Sequence, residues 1–175
     1  MGSYNIEAAR PDDASAILAV YRAVAAVEGG ILRNVAEVTP EYIDGFLHEA
    51  LARGYCLVAR TGDGAIAGEI HAYDLGIAKL SHVLGELTIA VHPAHQGAGV
   101  GRALFRRLLD IVERERPDIL RVELGAQESN TRAIAFYESL GFVMEGRMER
   151  RIAIGDGRYE ADLLMAWLRK GAGDA

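Results

Sequence analysis

The chain has 175 residues, half of them apolar and a quarter charged, with a formal net charge of −6. This length and balance suit one soluble domain whose core needs no disulfides, and the single cysteine, Cys56, excludes an internal disulfide or a cysteine-only metal cluster. The acidic balance speaks against a general nucleic-acid binder or a binder of anionic membrane surfaces.

In chain order, Tyr4–Ala9 reads as a short strand ending at Arg10-Pro11. Asp12 or Asp13 can cap the helix that follows, with Ile17, Leu18, Tyr21 and Val24 near helical spacing and Gly29-Gly30 as its stop. Thr39-Pro40 reads as an N-cap with proline in the first helical position, opening a helix through Leu51 that Gly54 closes. Tyr55–Arg60 and Ala65–Tyr73 read as strands joined by the turn Thr61-Gly62-Asp63-Gly64. Glu86–Val91 is a strand ending at His92-Pro93, and Gly99–Arg116 is a helix stopped by Pro117. Leu120–Leu124 alternates as a strand, Asn130 can cap a helix that ends at Gly141, and Phe142–Ile154 and Arg158–Leu168 close the chain as strands.

This order predicts an α/β (α+β) fold around one mostly antiparallel sheet. The strand–helix–strand unit around Gly99–Gly125 should set Glu86–Val91 parallel to Leu120–Leu124. A single domain is expected over residues 1–170, with 171–175 as a flexible C-terminal tail. No apolar run approaches the roughly 18 residues that span a bilayer, and the N-terminal residues lack the pattern of a secretory signal. A cytoplasmic protein is therefore expected, with no nucleic-acid and no membrane partner.

The chemistry concentrates in Val91-His92-Pro93-Ala94-His95-Gln96-Gly97-Ala98-Gly99-Val100-Gly101-Arg102. Three glycines at alternate positions stand between a strand and a helix, where backbone N–H groups and the positive end of the helix suit phosphate oxygens. The Rossmann spacing fails, because Arg102 and Leu104 stand where its last glycine should, and no Gly-Lys-Ser/Thr of a P-loop occurs. What remains is a pyrophosphate cradle of another kind, or a glycine-rich turn that only permits tight packing. The basic residues are seventeen arginines and two lysines, and arginine suits bidentate recognition of phosphate or carboxylate.

Gln96-x-x-Gly99-x-Gly101 resembles the Q/R-x-x-G-x-G/A signature of the GNAT superfamily of N-acetyltransferases. A strand ending in Val91-x-Pro93 precedes it and a long amphipathic helix follows. Further on, Asn130-Thr131-Arg132-Ala133 through Tyr137 to Gly141-Phe142 resembles the family's N-x-x-A-x-x-x-Y-x-x-x-G-F segment. The resemblance is dense from Gly85 to Gly146 and thins to topology over Tyr4–Tyr73. It implies the GNAT fold, with about four helices flanking the sheet and a parallel strand pair at the cofactor site. It also implies acetyl-CoA as co-substrate, no metal, and direct transfer to an amine.

By the same resemblance Gln96, Gly97, Ala98, Gly99, Val100, Gly101 and Arg102 would hold the pyrophosphate. Ile89, Ala90 and Val91 would pair with pantetheine and polarise the thioester carbonyl. Asn130 and Arg132 would join the cofactor-binding set, Asn130 also being a helix N-cap. Tyr137 matches the tyrosine that returns a proton to the departing thiolate; its plainer reading is a core aromatic beside Phe136. Glu86 is the candidate base for an amine that is protonated at neutral pH, directly or through a water. Histone-acetylating members carry their glutamate one residue earlier, so strand alternation turns Glu86 to another face unless a bulge corrects it. Substrate binding or plain solvation of Glu86 is the alternative.

His82, His92 and His95 form no spaced metal set and read as loop residues, with His82 a further candidate on the acceptor side. Cys56 reads as inert packing. Residues 27–51 and 74–84 are expected to line the acceptor cleft, and pairing of the closing strands would give a homodimer. Two other functions fit the same cradle: a transferase for a longer acyl-CoA, and a non-catalytic acyl-CoA-binding module.

Overall fold

A computed structural model describes residues 4–27 and 29–171; positions 172–175 of the expected tail lie outside them. Seven strands hydrogen-bond in the order β1-β2-β3-β4-β5-β7-β6, and the chain divides into two compact units, Met1–Tyr73 with Thr88–Arg116 and Asp74–Leu87 with Pro117–Ala175. β4 (Val83–Val91) contributes to both. The neighbours β1–β2, β2–β3, β5–β7 and β6–β7 are antiparallel, while β4 and β5 are parallel. Among the described residues no helix is long and apolar enough to cross a membrane.

The first unit holds β1 (Asn5–Ala8), α1 (Ala14–Ala25), α2 (Pro40–Arg53), β2 (Gly54–Arg60), β3 (Ile66–Tyr73) and α3 (Val100–Glu115). Thr39 caps α2 as its sequence demands, its Oγ1 accepting the Tyr42 N–H at 3.2 Å. Asp13 does not cap α1 with its side chain. Its carboxylate instead accepts the Arg10 N–H at 2.9 Å and the Arg60 guanidinium at 2.9 and 3.1 Å. Burial pushes that carboxyl up, but these donors outweigh it and hold its pKa below the ordinary value. Arg60 also reaches Glu7 at 2.7 Å, so one guanidinium ties β1 and β2 to the entry of α1.

From Ile66 to Ala72 every residue of β3 is buried, the mark of a strand covered on both faces. On one face Gly68 admits α3: a Cβ there would meet Ala90 O at 3.0 Å and Val100 Cγ1 at 3.2 Å. On the other face Glu69, with no exposed surface, accepts from Tyr21 Oη at 2.7 Å and Cys56 Sγ at 3.1 Å, while His71 Nδ1 lies 3.1 Å away. His71 stacks on Phe46 of α2 at 4.0 Å between ring centroids. Cys56 is thus buried as expected, but it is a hydrogen-bond donor to a carboxyl rather than simple packing. Burial, followed by the Glu69 charge, pushes both the Tyr21 phenol and the Cys56 thiol well up, so each keeps its proton to donate.

The second unit holds the first half of β4, β5 (Arg121–Gln127), α4 (Thr131–Glu138), β6 (Val143–Gly155) and β7 (Arg158–Leu168). The expected parallel pair forms. Its partners are Val83↔Arg121 and Leu84↔Val122, residues ahead of Glu86–Val91, and the ladder runs no further. Gly141 takes the expected left-handed conformation after α4, with φ +92°.

Replacing Tyr21 by Phe removes one donor from a fully buried carboxyl. The expected loss of stability is about 1–3 kcal/mol, read as a lower urea midpoint by circular dichroism. An unchanged midpoint would show that the hydroxyl contributes nothing to holding α1 on β3.

Candidate functional site

Ile89, Ala90 and Val91 end β4 inside the first unit, with Ala90 buried and its two neighbours half-buried. His92 N–H donates to Ala67 O at 2.9 Å, and Gln96 Nε2 reaches back to Val91 O at 3.2 Å, pinning the loop to the strand it leaves. Gly97 and Gly99 have φ +76° and +85°, a left-handed conformation that side chains resist. A Cβ on either would project into open space, with nothing within 4 Å. Gly99 is the N-cap of α3 and offers no side chain to the first-turn N–H groups. Those groups and the positive end of a sixteen-residue helix stay available to an anion.

Val100 is buried, and a Cβ on Gly101 would lie 3.6 Å from Val91 Cγ2 and 3.7 Å from Ile89 Cδ1, so α3 starts directly on the strand end. Gln96, Gly97, Ala98, Gly99 and Arg102 are exposed. Arg106 and Arg107 are exposed too, Arg107 standing 3.6 Å from Asp110, and no acid occurs between Val91 and Arg107. The structure therefore gathers the sequence-expected set from Ile89 to Arg102 into one acid-free strand–loop–helix junction. Its backbone geometry suits the oxygens of a phosphate ester.

The remaining expected residues sit in the second unit. Glu86 is exposed and has φ +48°, a left-handed conformation inside β4. It breaks the strand's alternation: Leu84, Gly85 and Leu87 are all buried while Glu86 turns outward. β4 is therefore irregular at Glu86. A non-glycine residue held this way costs on the order of 1 kcal/mol or more.

Asn130 caps α4, its Oδ1 accepting the Ala133 N–H at 3.1 Å, and Arg132 is exposed on the first turn. Tyr137, near the end of α4, is half-buried, its ring 5.7 Å from Phe136 and 6.2 Å from Phe142. Burial pushes its pKa up to about 12, so the phenol keeps its proton at any physiological pH. The expected aromatic packing is thus observed, and the phenol in it remains protonated.

The pairing of Arg121 with Glu123 and Glu145 escaped the sequence reading. Asp162 of β7 is buried, with burial raising its pKa despite Arg151 nearby. His92 and His95 are engaged within the loop region, His92 Nδ1 accepting the Ala94 N–H at 3.2 Å and His95 Nδ1 lying 3.2 Å from Tyr4 Oη. Among the described residues no group of three or more His, Cys, Asp or Glu could hold a metal ion.

The profile of the acetyltransferase (GNAT) family matches residues 30–142, nearly two thirds of the chain and the whole of the loop just described. The chain belongs to the GNAT family. GNAT relatives include the [ribosomal protein bS18]-alanine N-acetyltransferase of Escherichia coli K12, 41% identical over 85 residues, 47% of this chain and 56% of that protein. The chain thus spans little more than half the length of that relative. The L-amino acid N-acyltransferase MnaT of the same organism is 28% identical over 145 residues, 82% of each chain.

Among solved structures, yncA of Salmonella typhimurium, described with its cofactor acetyl-CoA, superposes with a TM-score of 0.82 at 25% identity over 99% of each chain. A GNAT-family acetyltransferase of Streptococcus pneumoniae gives 0.83 at 24% identity, over 95% of this chain and all of that one. The GNAT fold expected from the sequence is the fold observed.

Asn130→Ala removes the cap of the helix that carries Tyr137. A stability loss of about 0.5–2 kcal/mol is expected, measured by chemical denaturation; Asn130→Ser should recover most of it. Equal stability of Ala and Ser variants would mean the cap bond is not formed in solution.

Proposed function

We propose that the protein is a cytoplasmic, acetyl-CoA-dependent N-acetyltransferase that acetylates a primary amine of a small molecule or of a peptide N-terminus. The observation that carries this reading is the acid-free junction from Val91 to Arg102, where two left-handed glycines open onto free space at the start of α3. That cradle fits the pyrophosphate of coenzyme A and lies wholly within the segment matched by the family profile.

Bound acetyl-CoA supplies an acetyl thioester activated for transfer. Backbone N–H groups from Gly97 to Gly101 hold the phosphate oxygens, and Arg102 adds a cation at the loop. Ile89–Val91 presents main-chain groups to the pantetheine arm and an N–H to the thioester carbonyl. Asn130 and Arg132 complete the grip on the cofactor. Glu86, turned outward by its left-handed backbone, takes the proton of the incoming ammonium, directly or through a water. Tyr137 keeps its proton for the departing sulfur. With its pKa near 12, against about 8.5 for a thiol, full proton transfer to the thiolate is uphill, so Tyr137 acts as a hydrogen-bond donor that stabilises the departing thiolate. β6 ends the strand order and carries exposed Val143 and Met144, which supports a homodimer that covers this edge.

Calorimetric titration with acetyl-CoA, followed by free-thiol release against a panel of amines, tests the reading. Saturable binding with release on one acceptor class is expected; absence of binding overturns it, and binding without release leaves only a carrier-binding module. Gly99→Val forces a β-branched residue into φ +85° and should abolish acetyl-CoA binding; retained affinity would remove the cradle. Tyr137→Phe should lower kcat at least tenfold, within the range of general-acid contributions, at nearly constant acetyl-CoA affinity. Because burial raises this pKa, wild-type kcat should show no tyrosine-linked loss below about pH 10. A Phe variant with the wild-type rate would take Tyr137 out of the acid role.

A further inference from the structure

The second unit contains a cavity of about 210 Å³ that none of the expected residues of the cradle lines. Leu75, Leu80 and Val83 form its apolar wall, and His82, Arg121 and Glu123 its polar side. The volume has room for a short chain of heavy atoms and not for a nucleotide or a folded partner. Gly85, the residue immediately ahead of Glu86, also lines it.

The charges of the cavity are unequal in kind. Arg121 is fully engaged: its Nε donates to Glu123 Oε2 at 2.7 Å, and its two terminal nitrogens donate to Glu145 at 3.0 and 2.5 Å. One cation thus faces two carboxylates, and its fork is already filled from both sides. A ligand carboxylate would have to displace Glu123 or Glu145 to reach it. The other oxygen of Glu123, Oε1, stands 3.3 Å from the position a Cβ on Gly85 would occupy, so the space before it exists because residue 85 is glycine. An apolar wall beside an anionic oxygen, with the one guanidinium spent, suits an alkyl chain that ends in a cation.

We propose that this cavity holds the non-reacting end of the acceptor, and that the acceptor is a short aliphatic diamine. One ammonium is read by Glu123 Oε1, the methylenes lie along Leu75, Leu80 and Val83, and the other amine is presented at Glu86. This inference rests on the acetyltransferase reading for its purpose, while the binding it predicts is measurable without turnover.

Three probes of matched length differ only in the group offered to Glu123: pentylamine carries an ammonium, 1-pentanol a hydroxyl and pentanoate a carboxylate. Each is titrated calorimetrically into the protein, alone and saturated with coenzyme A, beside the diamine cadaverine. The two amines should bind about tenfold more tightly than 1-pentanol, the weight of one hydrogen bond to a charged group, and pentanoate most weakly. Glu123→Gln, which keeps an oxygen for Arg121, should bring both amines to within about twofold of 1-pentanol. Leu80→Trp fills the cavity away from the ion pairs and should weaken both amines, with acetyl-CoA affinity unchanged in each variant. With acetyl-CoA, cadaverine should release free thiol about tenfold faster than pentylamine, whose one amine is held at Glu123.

Equal binding of the three probes, preference for pentanoate, no binding of cadaverine, an amine advantage that survives Glu123→Gln, or equal rates with the two amines would overturn the proposal. Loss of acetyl-CoA binding by the wild-type protein would instead overturn the acetyltransferase reading and leave the cavity result standing.

Discussion

Glu69 places an ionisable group in the middle of an apolar core, and much of the first unit is arranged to satisfy it. A carboxyl with no exposed surface loses several kcal/mol of hydration unless each oxygen is hydrogen-bonded. Here the partners come from three elements: the donors Tyr21 on α1 and Cys56 on β2, and His71 on β3 itself. Phe46 of α2 closes the group by stacking on His71. The network therefore fixes how α1 and α2 lie on the β2–β3 pair, which apolar packing alone would leave free to slide. Gly68, one residue before Glu69, faces the other way and lets α3 approach β3 closely. Adjacent residues of one strand thus set the helices on both sides, and the end of β4 and the start of α3 meet on that scaffold.

β4 is the second point of constraint, since it carries two different tasks along nine residues. Its first residues pair in parallel with β5, and its last ones end at the loop before α3. Between them stands Glu86 with φ +48°. A left-handed glutamate is strained, and strain of this sort persists only where the surroundings over-determine it. Pairing with β5 ends at Leu84↔Val122, just before the irregularity. The kink therefore frees the strand's later N–H and C=O groups from that ladder while turning one carboxylate outward. Under the proposed mechanism both consequences are needed, because the same strand must offer main-chain groups to a thioester and a base to an amine.

What could be read from the sequence follows from how local each signal is. Thr39-Pro40, Asn130 and Gly141 declare helix ends through bonds three residues away or through a sign of φ, and all three are in place. The cradle was legible because its glycines answer to a backbone conformation, which a short motif can encode. Asp13 failed as a side-chain cap because Arg60, forty-seven residues on, competes for its oxygens. Glu69 and His71 alternate along β3 like solvent-facing residues, and nothing nearby in sequence reveals that Tyr21, forty-eight residues earlier, awaits one of them. The register of β4 on β5 and the pairing of Arg121 with Glu145 across twenty-four residues were hidden for the same reason.

The distribution of charge gives the net value of −6 a meaning that the total alone lacks. From Val91 to Arg107 there are three arginines and no acid, set on a helix whose positive end faces the loop. Around the cavity in the second unit, one arginine is overmatched by two carboxylates. A polyanionic acyl carrier and a cationic amine require opposite fields, and a uniformly charged surface would attract one and repel the other. An acidic protein that confines its acid-free stretch to one strand–loop–helix junction can take up both. On this reasoning the three arginines of that stretch serve the proposed cradle, and the overmatched Arg121 leaves the cavity with a net negative charge for the proposed amine.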